Sequence, residues 1–312
     1  MHPLGAAAEN PRLSLAAPRS WLFVPADSDK KVAKAIASDA DAIIFDLEDS
    51  VSLERKQIAR DLLKALDARD GGPRWWVRIN PLRTDHHKKD LEVFASADFE
   101  GVVLPKAESG ADIAELAHRT GNLPIHAIVT ETAASLFGLL TYRDTKSPLV
   151  AMCWGAEDLS AALGASSKYD SDGSLAFTYR MARSLTLAGA VAAGVQPVDG
   201  VFADFRDEAG LIAEARAAAR EGFTGKLAIH PDQIAPINAA FTPSPDDIAL
   251  AEEIIAACAA DPLAGVLSVG GRMEIARISS RHRRFSLAPA NPGETSCQPP
   301  PRVGAPTPPI NH

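Results

Sequence analysis

Residues 41–51 read Asp-Ala-Ile-Ile-Phe-Asp-Leu-Glu-Asp-Ser-Val, an apolar run that passes directly into acidic residues. The apolar part, 42–45, does not alternate with polar side chains, which is typical of a parallel strand covered on both faces. Similar short apolar runs occur at 21–24, 75–79, 101–104, 125–129, 149–153, 200–203 and 227–229. The sequence therefore predicts eight parallel strands.

Helical patterns follow these runs in turn, at 29–38, 53–68, 87–95, 111–118, 132–139, 175–193, 207–221 and 232–239. Ser244-Pro-Asp-Asp247 predicts the start of an additional helix that extends to about residue 260, because Ser caps free amides and Pro suits the first helical position. Eight β-α units predict an α/β fold, a (β/α)8 TIM barrel with an additional C-terminal helix. A doubly wound open sheet is the alternative, but the sequence has neither of the two common phosphate-binding glycine motifs.

The composition favours a protein that handles small molecules. The chain has 312 residues, with 40 acidic and 32 basic side chains and a formal net charge of −8, which argues against a nucleic-acid partner. No stretch approaches the ~20 apolar residues of a membrane span, so no membrane partner is expected. Three widely spaced cysteines and the lack of a secretory signal predict a cytoplasmic location.

Proline usage divides the chain. Of the 23 prolines, 8 fall within residues 289–312. We expect a flexible N-terminal arm at 1–18, the barrel at 19–262, a divergent C-terminal segment at 263–286 and a Pro-rich disordered tail at 287–312.

Polar residues follow the predicted strands where each strand ends. In a barrel these positions converge on one face, where active sites of this fold are built. They are Asp46, Glu48, Asp49, Arg78, Asn80, Lys106, Glu131, Glu157, Asp158, Asp204 and His230. For any single acid, a helix cap or a surface charge is the alternative interpretation.

Glu131 and Asp158 suggest a metal, since two carboxylates completed by water and substrate oxygens are typical of Mg²⁺. Zinc is disfavoured because no H-E-x-x-H motif or Cys/His cluster occurs. Arg78 follows the apolar residues 75–77 and is expected to be buried. It can either grip a substrate carboxylate through two hydrogen bonds or form an ion pair with an acid of a neighbouring strand.

Two further positions are interpreted as structural. His86 and His87 lie in a polar stretch that predicts a solvated helix start. Cys153 lies in an apolar strand and is expected in the core rather than as a nucleophile.

Seven stretches, in order and spanning roughly residues 19–260, resemble the HpcH/HpaI aldolase/citrate lyase superfamily, and within it the citrate lyase β-subunit-like branch. They are RSWLFVP at 19–25, DAIIFDLEDSV at 41–51, VRINPL at 77–82, GVVLPK at 101–106, ET at 131–132, GAEDL at 155–159 and GFTGKLAIHPDQ at 222–233.

The resemblance implies a metal and substrate site. Mg²⁺ is expected at Glu131 and Asp158, and Arg78 is expected to hold the carboxylate of the keto-acid portion, which makes these three the predicted catalytic residues. The resemblance also implies a homo-oligomer, a trimer or hexamer.

Four further residues are implied on the substrate side. Glu48 and Asp49 are expected near the water shell of the metal. Arg19 and Lys106 are expected near the part that carries the thioester, whose carrier is CoA or an acyl carrier protein.

The implied reaction is the Mg²⁺-dependent cleavage of a 3-hydroxyacyl thioester, of the citryl-, malyl- or citramalyl-CoA type, to an acetyl thioester and a 2-keto acid. An aldolase acting on free keto acids and a non-catalytic subunit that binds keto acid or CoA remain as alternatives. The sequence departs from the family where relatives continue with D-G-x-M-[IV]-D-x-P, because the position of the second Asp holds Ile275. This branch does without that Asp, or Glu274 replaces it, or the reading frame has shifted near Arg272.

Overall fold

A computed structural model describes residues 17–67, 71–145, 148–260, 266–269 and 272–275. Eight parallel strands form a closed barrel in sequence order, and β1 pairs with both β2 and β8. The strands are β1 Ser20–Pro25, β2 Ala42–Asp46, β3 Arg74–Arg78, β4 Gly101–Leu104, β5 Ile125–Ile128, β6 Leu149–Cys153, β7 Gln196–Asp199 and β8 Gly225–Ala228. The predicted TIM barrel is confirmed.

Helices alternate with the strands. They are α1 Asp29–Ile36, α2 Lys56–Lys64, α3 Asp85–Leu91, α4 Gly110–Arg119, α5 Ser135–Gly138, α6 Ala156–Ala162, α7 Phe177–Ala193, α8 Glu208–Glu221 and α9 Ile234–Phe241. Short 3-10 helices occupy Leu53–Arg55, Glu92–Ala95, Leu139–Asp144 and Pro231–Gln233.

Two apolar layers follow from the alternation of side chains along each strand. On β2, Ile44 packs in a cluster with Trp21, Trp76 and Cys153, whereas Phe45 belongs to the larger cluster that includes residues of the surrounding helices. Cys153 is fully buried, so the prediction that it lies in the core is confirmed. Asp46 is two residues beyond Ile44, on the same face of the strand, and therefore brings a carboxylate to the end of this inner layer.

The seventh strand was predicted in the wrong place. The apolar residues 200–203 form a loop, and the strand is Gln196–Asp199, four residues earlier. Gln196 and Pro197 break the apolar pattern, but this strand is short and Gln196 finds a buried carbonyl, that of Pro18, at 2.8 Å. Asp199, and not Asp204, ends the strand.

Two other predictions need correction. Helix α6 was not predicted, because its seven residues are too few for a periodic pattern. His87 is fully buried within α3 rather than solvated, with Nδ1 3.3 Å from the carbonyl oxygen of Asn80.

The chain divides into two compact units between Thr242 and Pro243. The second unit contains α10, Pro245–Ala260, which is the predicted additional helix, and Oγ of Ser244 accepts a hydrogen bond from the backbone N–H of Asp247 at 3.1 Å. It also contains an antiparallel pair, β9 Val266–Val269 and β10 Arg272–Ile275.

Residues 1–16 of the predicted N-terminal arm and the predicted disordered tail lie outside the described residues. Within the part of the chain that the structure describes, no helix is long and apolar enough to cross a membrane.

Candidate active site

Asp46 and Arg78 end neighbouring strands and lie opposite each other in the register of β2 and β3. The guanidinium donates from Nε to Oδ1 at 2.7 Å and from Nη2 to Oδ2 at 2.6 Å. Burial alone would raise the pKa of Asp46, but Arg78 outweighs burial and the pKa lies below its ordinary value. Of the two sequence-based interpretations of Arg78, the ion pair with a neighbouring acid is present. This ion pair with Asp46 uses the Nε–Nη2 edge of the guanidinium.

Glu48 is buried between two cations. Its Oε1 accepts from Nζ of Lys106 at 2.5 Å, and its Oε2 lies 3.0 Å from Nη1 of Arg78. The angle of the second contact is not that of a hydrogen bond, so Oε2 has no hydrogen-bond partner among the described residues. Burial raises the pKa of Glu48 despite the opposing effect of Arg78 and Lys106.

The turn that carries Glu48 is fixed by buried polar contacts that sequence reasoning missed. Asp46 accepts the backbone N–H of Glu48 at 2.8 Å, and Nζ of Lys56 donates to the carbonyl oxygens of Leu47 and Glu48 at 2.8 and 3.0 Å. Nδ2 of Asn80 also donates to the carbonyl of Leu47, at 2.9 Å. Buried carbonyl groups need such partners, but the sequence signal for Lys56 is only a basic residue in a helix.

Lys106 connects the acidic residues. Its backbone N–H donates to Oε2 of Glu131 at 2.5 Å, and its ammonium group lies 3.3 Å from Oδ2 of Asp49 and 3.3 Å from Oδ1 of Asp158, in addition to its contact with Glu48. The backbone of Lys106 is in the left-handed region, with φ of 52°. Such a conformation is uncommon for a residue other than glycine and is frequent at functional sites.

Glu131 is buried just beyond the end of β5. Burial raises its pKa to about 8, and the neighbouring carboxylates Glu48 and Asp158 contribute to the increase. Gly155 makes room for it, because a Cβ at that position would lie 2.8 Å from Cγ of Glu131. Gly155 also precedes α6, whose first turn holds Asp158. A helix N-terminus favours an acid at that position.

The side chains gathered around Lys106 carry more negative than positive charge. Five carboxylates (Asp46, Glu48, Asp49, Glu131 and Asp158) face two cations (Arg78 and Lys106), which leaves a surplus of three negative charges when all are ionised. Hard divalent cations bind oxygen ligands of this kind. Oε2 of Glu48, which accepts no hydrogen bond from the described residues, and the buried carboxyl of Glu131 fit such an ion. In the described ranges, no group of three or more His, Cys, Asp or Glu side chains is preassembled to bind a metal.

The structure thus brings together six of the seven predicted site residues, and Arg19 is the exception. Arg19 precedes β1 at the opposite end of the barrel, where it donates to both carboxylate oxygens of Asp41 at 2.8 and 2.9 Å and to Thr242 at 2.7 Å. The assignment of Arg19 to the substrate site is therefore not supported.

Three other polar residues at predicted strand ends also lie apart from this group. Asp204 is exposed in the loop after β7, and the ring of His230 stacks on Phe205 with centroids 4.6 Å apart. Glu157 forms an ion pair with Lys168.

A second buried ionic group lies on β7 and β8. Lys226 is fully buried and donates to Asp199 at 2.9 Å and to Glu214 of α8 at 2.7 Å. Asp199 also accepts a hydrogen bond from the indole N–H of Trp154 at 2.9 Å, and Trp154 is the residue directly before Gly155. Nε of Arg183 in α7 also donates to Asp199, at 2.7 Å. Lys226 and Arg183 together outweigh the effect of burial and lower the pKa of Asp199 to about 2. The group supports the segment that carries Gly155 and Asp158.

Comparison with known proteins agrees with the fold and identifies the family. The sequence pattern of the HpcH/HpaI aldolase/citrate lyase family matches residues 19–231, and the chain belongs to this family. The resemblance inferred from the seven stretches is confirmed, and so is the prediction of a lyase at the level of the enzyme family.

Two curated relatives and one solved structure are informative. A citrate lyase subunit beta-like protein of Mycobacterium tuberculosis is 41% identical over 242 residues, which cover 78% of this chain and 85% of that protein. The mitochondrial citramalyl-CoA lyase of Mus musculus is 36% identical over 263 residues, which cover 77% and 75%. The crystal structure of CitE from M. tuberculosis in complex with magnesium, acetoacetate and coenzyme A superposes with a TM-score of 0.75 at 37% identity, covering 87% of this chain and 98% of that one.

Proposed function

We propose that the chain is a Mg²⁺-dependent carbon–carbon lyase that cleaves a 3-hydroxyacyl thioester, of the citryl-, malyl- or citramalyl-CoA type, to an acetyl thioester and a 2-keto acid. The observation that carries the proposal is the convergence of Arg78, Glu131 and Asp158 at the carboxyl ends of the barrel strands. Glu131 and Asp158 both contact Lys106. Arg78 lies against Glu48, which Lys106 also contacts. The magnesium, acetoacetate and coenzyme A bound by the M. tuberculosis protein and the name of the mouse relative support this substrate class.

Glu131 and Asp158 would hold the metal. When bound there, Mg²⁺ supplies a Lewis acid that lowers the pKa of the substrate hydroxyl and polarises the carbonyl that forms. Glu48 and Asp49 flank these two carboxylates through their shared contacts with Lys106. They would accept hydrogen bonds from water or substrate hydroxyl groups.

Arg78 would bind the carboxylate of the keto-acid portion. Asp46 occupies Nε and one N–H of Nη2. A guanidinium has five N–H donors, so donors on the terminal nitrogens remain for a substrate. Because Asp46 fixes the plane of the guanidinium, a carboxylate bound to it would be held in one orientation, which favours cleavage of one specific bond.

The reaction needs these charges in balance. The hydroxyl loses its proton, its oxygen becomes the carbonyl of the keto acid, and the electron pair of the broken C–C bond stays on the acetyl thioester as an enolate. That enolate then takes up a proton in place of the one that the hydroxyl lost, so the reaction consumes no net proton. Its negative charge needs a nearby cation or donor, and Lys106 is the cation that the site offers on this side. Arg19 is not included in this proposal.

A homo-oligomer, a trimer or hexamer, is part of the proposal. Helix α7 carries Phe177, Met181 and Leu185, which are spaced four residues apart on one face and are 68%, 40% and 41% exposed. Apolar residues that share an exposed helix face favour a protein partner. Sedimentation would test the assembly. Met181→Asp should lower its mass, and Ile58→Asp on α2, at a position 44% exposed, should not.

The test of activity is a cleavage screen with malyl-CoA, citramalyl-CoA and citryl-CoA. With Mg²⁺ we expect the keto acid and acetyl-CoA in equal amounts from at least one substrate, and no product with EDTA. Free CoA without keto acid would instead indicate thioester hydrolysis. No turnover of any of the three would contradict the proposal. Keto-acid binding in calorimetry without turnover would then favour the binding subunit, and turnover of pyruvate with an aldehyde would favour the aldolase.

A further inference from the structure

The ammonium group of Lys106 lies where carboxylates from separate segments of the barrel meet. Nζ is 2.5 Å from Oε1 of Glu48, 3.3 Å from Oδ2 of Asp49 and 3.3 Å from Oδ1 of Asp158. The backbone N–H of the same residue is 2.5 Å from Oε2 of Glu131. One residue therefore contacts both carboxylates that would hold Mg²⁺.

The two contacts of Lys106 differ in mobility. The contact between the backbone N–H of Lys106 and Glu131 depends on the main chain alone. Its position is set by the left-handed backbone conformation of Lys106, with φ of 52°, two residues after the end of β4. The ammonium group, in contrast, lies at the end of a flexible four-carbon stem. The side chain is 29% exposed, so it has room to turn toward solvent.

The ammonium group and a metal ion would be two cations at one carboxylate, because Nζ contacts Oδ1 of Asp158. A Mg²⁺ ion bound to the carboxylates of Glu131 and Asp158 at about 2.0–2.1 Å would lie within a few ångströms of Nζ. Like charges at that separation repel strongly in a partly buried site. The ammonium group would also compete for the carboxylate oxygen of Asp158 that it contacts.

We propose that the ammonium group of Lys106 is a counter-ion of these carboxylates that Mg²⁺ displaces. When the metal binds, the ammonium group leaves Asp158 and turns toward the substrate. This inference rests on the proposed function. The ammonium group reduces the mutual repulsion of the carboxylates that it contacts, and it competes with the metal for Asp158, which lowers the affinity for the metal. Lys106 acts in this respect as a positioning residue for the metal site.

The test is a calorimetric titration with Mg²⁺ alone, with no substrate, of the wild type, Lys106→Met and Lys168→Met. Lys168 is the matched control. It forms an ion pair with Glu157, the residue before Asp158, so Lys168→Met removes the same positive charge without changing a contact of Glu131 or Asp158. We expect Lys106→Met to bind Mg²⁺ about tenfold more tightly, or more, because no ammonium group must be displaced. Lys168→Met should stay within about twofold of the wild type.

Equal increases in Mg²⁺ affinity in both variants would indicate a general charge effect and would overturn the proposed exchange of the ammonium group for Mg²⁺. Unchanged or weaker Mg²⁺ binding by Lys106→Met would overturn it as well. If none of the three proteins binds Mg²⁺, the proposed function itself fails. A crystal structure of the wild type with Mg²⁺ gives a second measurement that needs no variant. Nζ should lie beyond hydrogen-bond distance of Asp158, and a bound metal with Nζ still in its present place would refute the exchange.

Discussion

At the scale of single residues, Arg78 belongs to the fold and to the candidate site at once. Its contacts with Asp46 join the ends of β2 and β3, and its Nη1 lies 3.0 Å from Oε2 of Glu48. The sequence left open whether Arg78 binds a substrate or a neighbouring acid. The two interpretations are compatible, because a guanidinium that is fixed along one edge is better oriented to bind a ligand along another.

Arg78→Lys tests this dual role. Lysine keeps the positive charge but cannot make the two parallel hydrogen bonds. We expect kcat/KM for thioester cleavage to fall by about 10²-fold or more, since a small loss of orientation has effects of that size. Arg74→Lys, at the opposite end of the same strand, is the control and should retain activity. Similar losses in both variants would assign Arg78 to the fold alone.

Gly155 is a second residue whose role follows from geometry. An alanine Cβ would lie 2.8 Å from Cγ of Glu131, so Gly155→Ala must displace that carboxylate. We expect Mg²⁺ affinity in calorimetry to fall about tenfold or more, which corresponds to about 1.4 kcal/mol. Gly189→Ala in α7, where the nearest atom is 3.4 Å away, should leave the affinity unchanged. Equal affinities in all three proteins would rule out the crowding of Glu131.

At the scale of elements, the sequence predicts strands well where they are continuous apolar runs. Strand β2 ends within one residue of its predicted end, and β4 and β6 are as predicted. Strand β7 was missed because Gln196 and Pro197 interrupt the apolar pattern, and a strand that makes few ladder contacts tolerates them. Local patterns carry no information about such tertiary compensation.

The candidate site was predictable as a set of strand ends but not as a set of contacts. Parallel strands bring their ends together, which placed Glu131, Asp158 and Lys106 correctly on one face. The pairing of Lys226 with Asp199, 27 residues apart, depends on how β7, β8 and α8 pack. Arg19 shows the converse, since a family motif marked a residue that lies at the wrong end of its strand.

Asp199→Asn tests the corrected position of β7. The change leaves the buried ammonium group of Lys226 and the guanidinium of Arg183 without their shared carboxylate. Loss of one partner from a buried ion pair costs about 3–5 kcal/mol, so we expect a decrease of that order in the free energy of unfolding in denaturant titrations. Asp204→Asn, at the exposed residue that the sequence placed at the strand end, should change it by no more than about 0.5 kcal/mol.

For the molecule as a whole, charge links composition to function. The chain carries −8 overall, and the candidate site holds more carboxylates than cations, five against two among the groups in direct contact. An anionic substrate would be repelled from such a site. A divalent cation neutralises most of the local negative charge. The negative charge that disfavours binding of the keto acid alone therefore favours binding of the metal first. Binding of the keto acid should therefore depend on Mg²⁺.

The stability of the whole barrel should depend on pH through His126. The imidazole is fully buried beside Trp21, with ring centroids 4.5 Å apart, and neither ring nitrogen has a hydrogen-bond partner among the described residues. Burial lowers its pKa from 6.5 to about 3. Below pH 6.5 the unfolded chain takes up a proton that the folded barrel excludes, so the contribution of this group to stability is complete above pH 6.5 and is lost as the pH falls toward 3.

Linkage gives the size of this effect. The free energy of unfolding should be about 2 kcal/mol lower at pH 5 than at pH 7.5 from His126 alone. His126→Phe, which keeps an aromatic ring in the barrel, should remove that share of the slope in denaturant titrations across this range. His118→Gln, at an exposed position in α4, should keep the wild-type slope. A His126→Phe variant with the full wild-type slope would mean that the barrel admits a charged imidazole or opens around it.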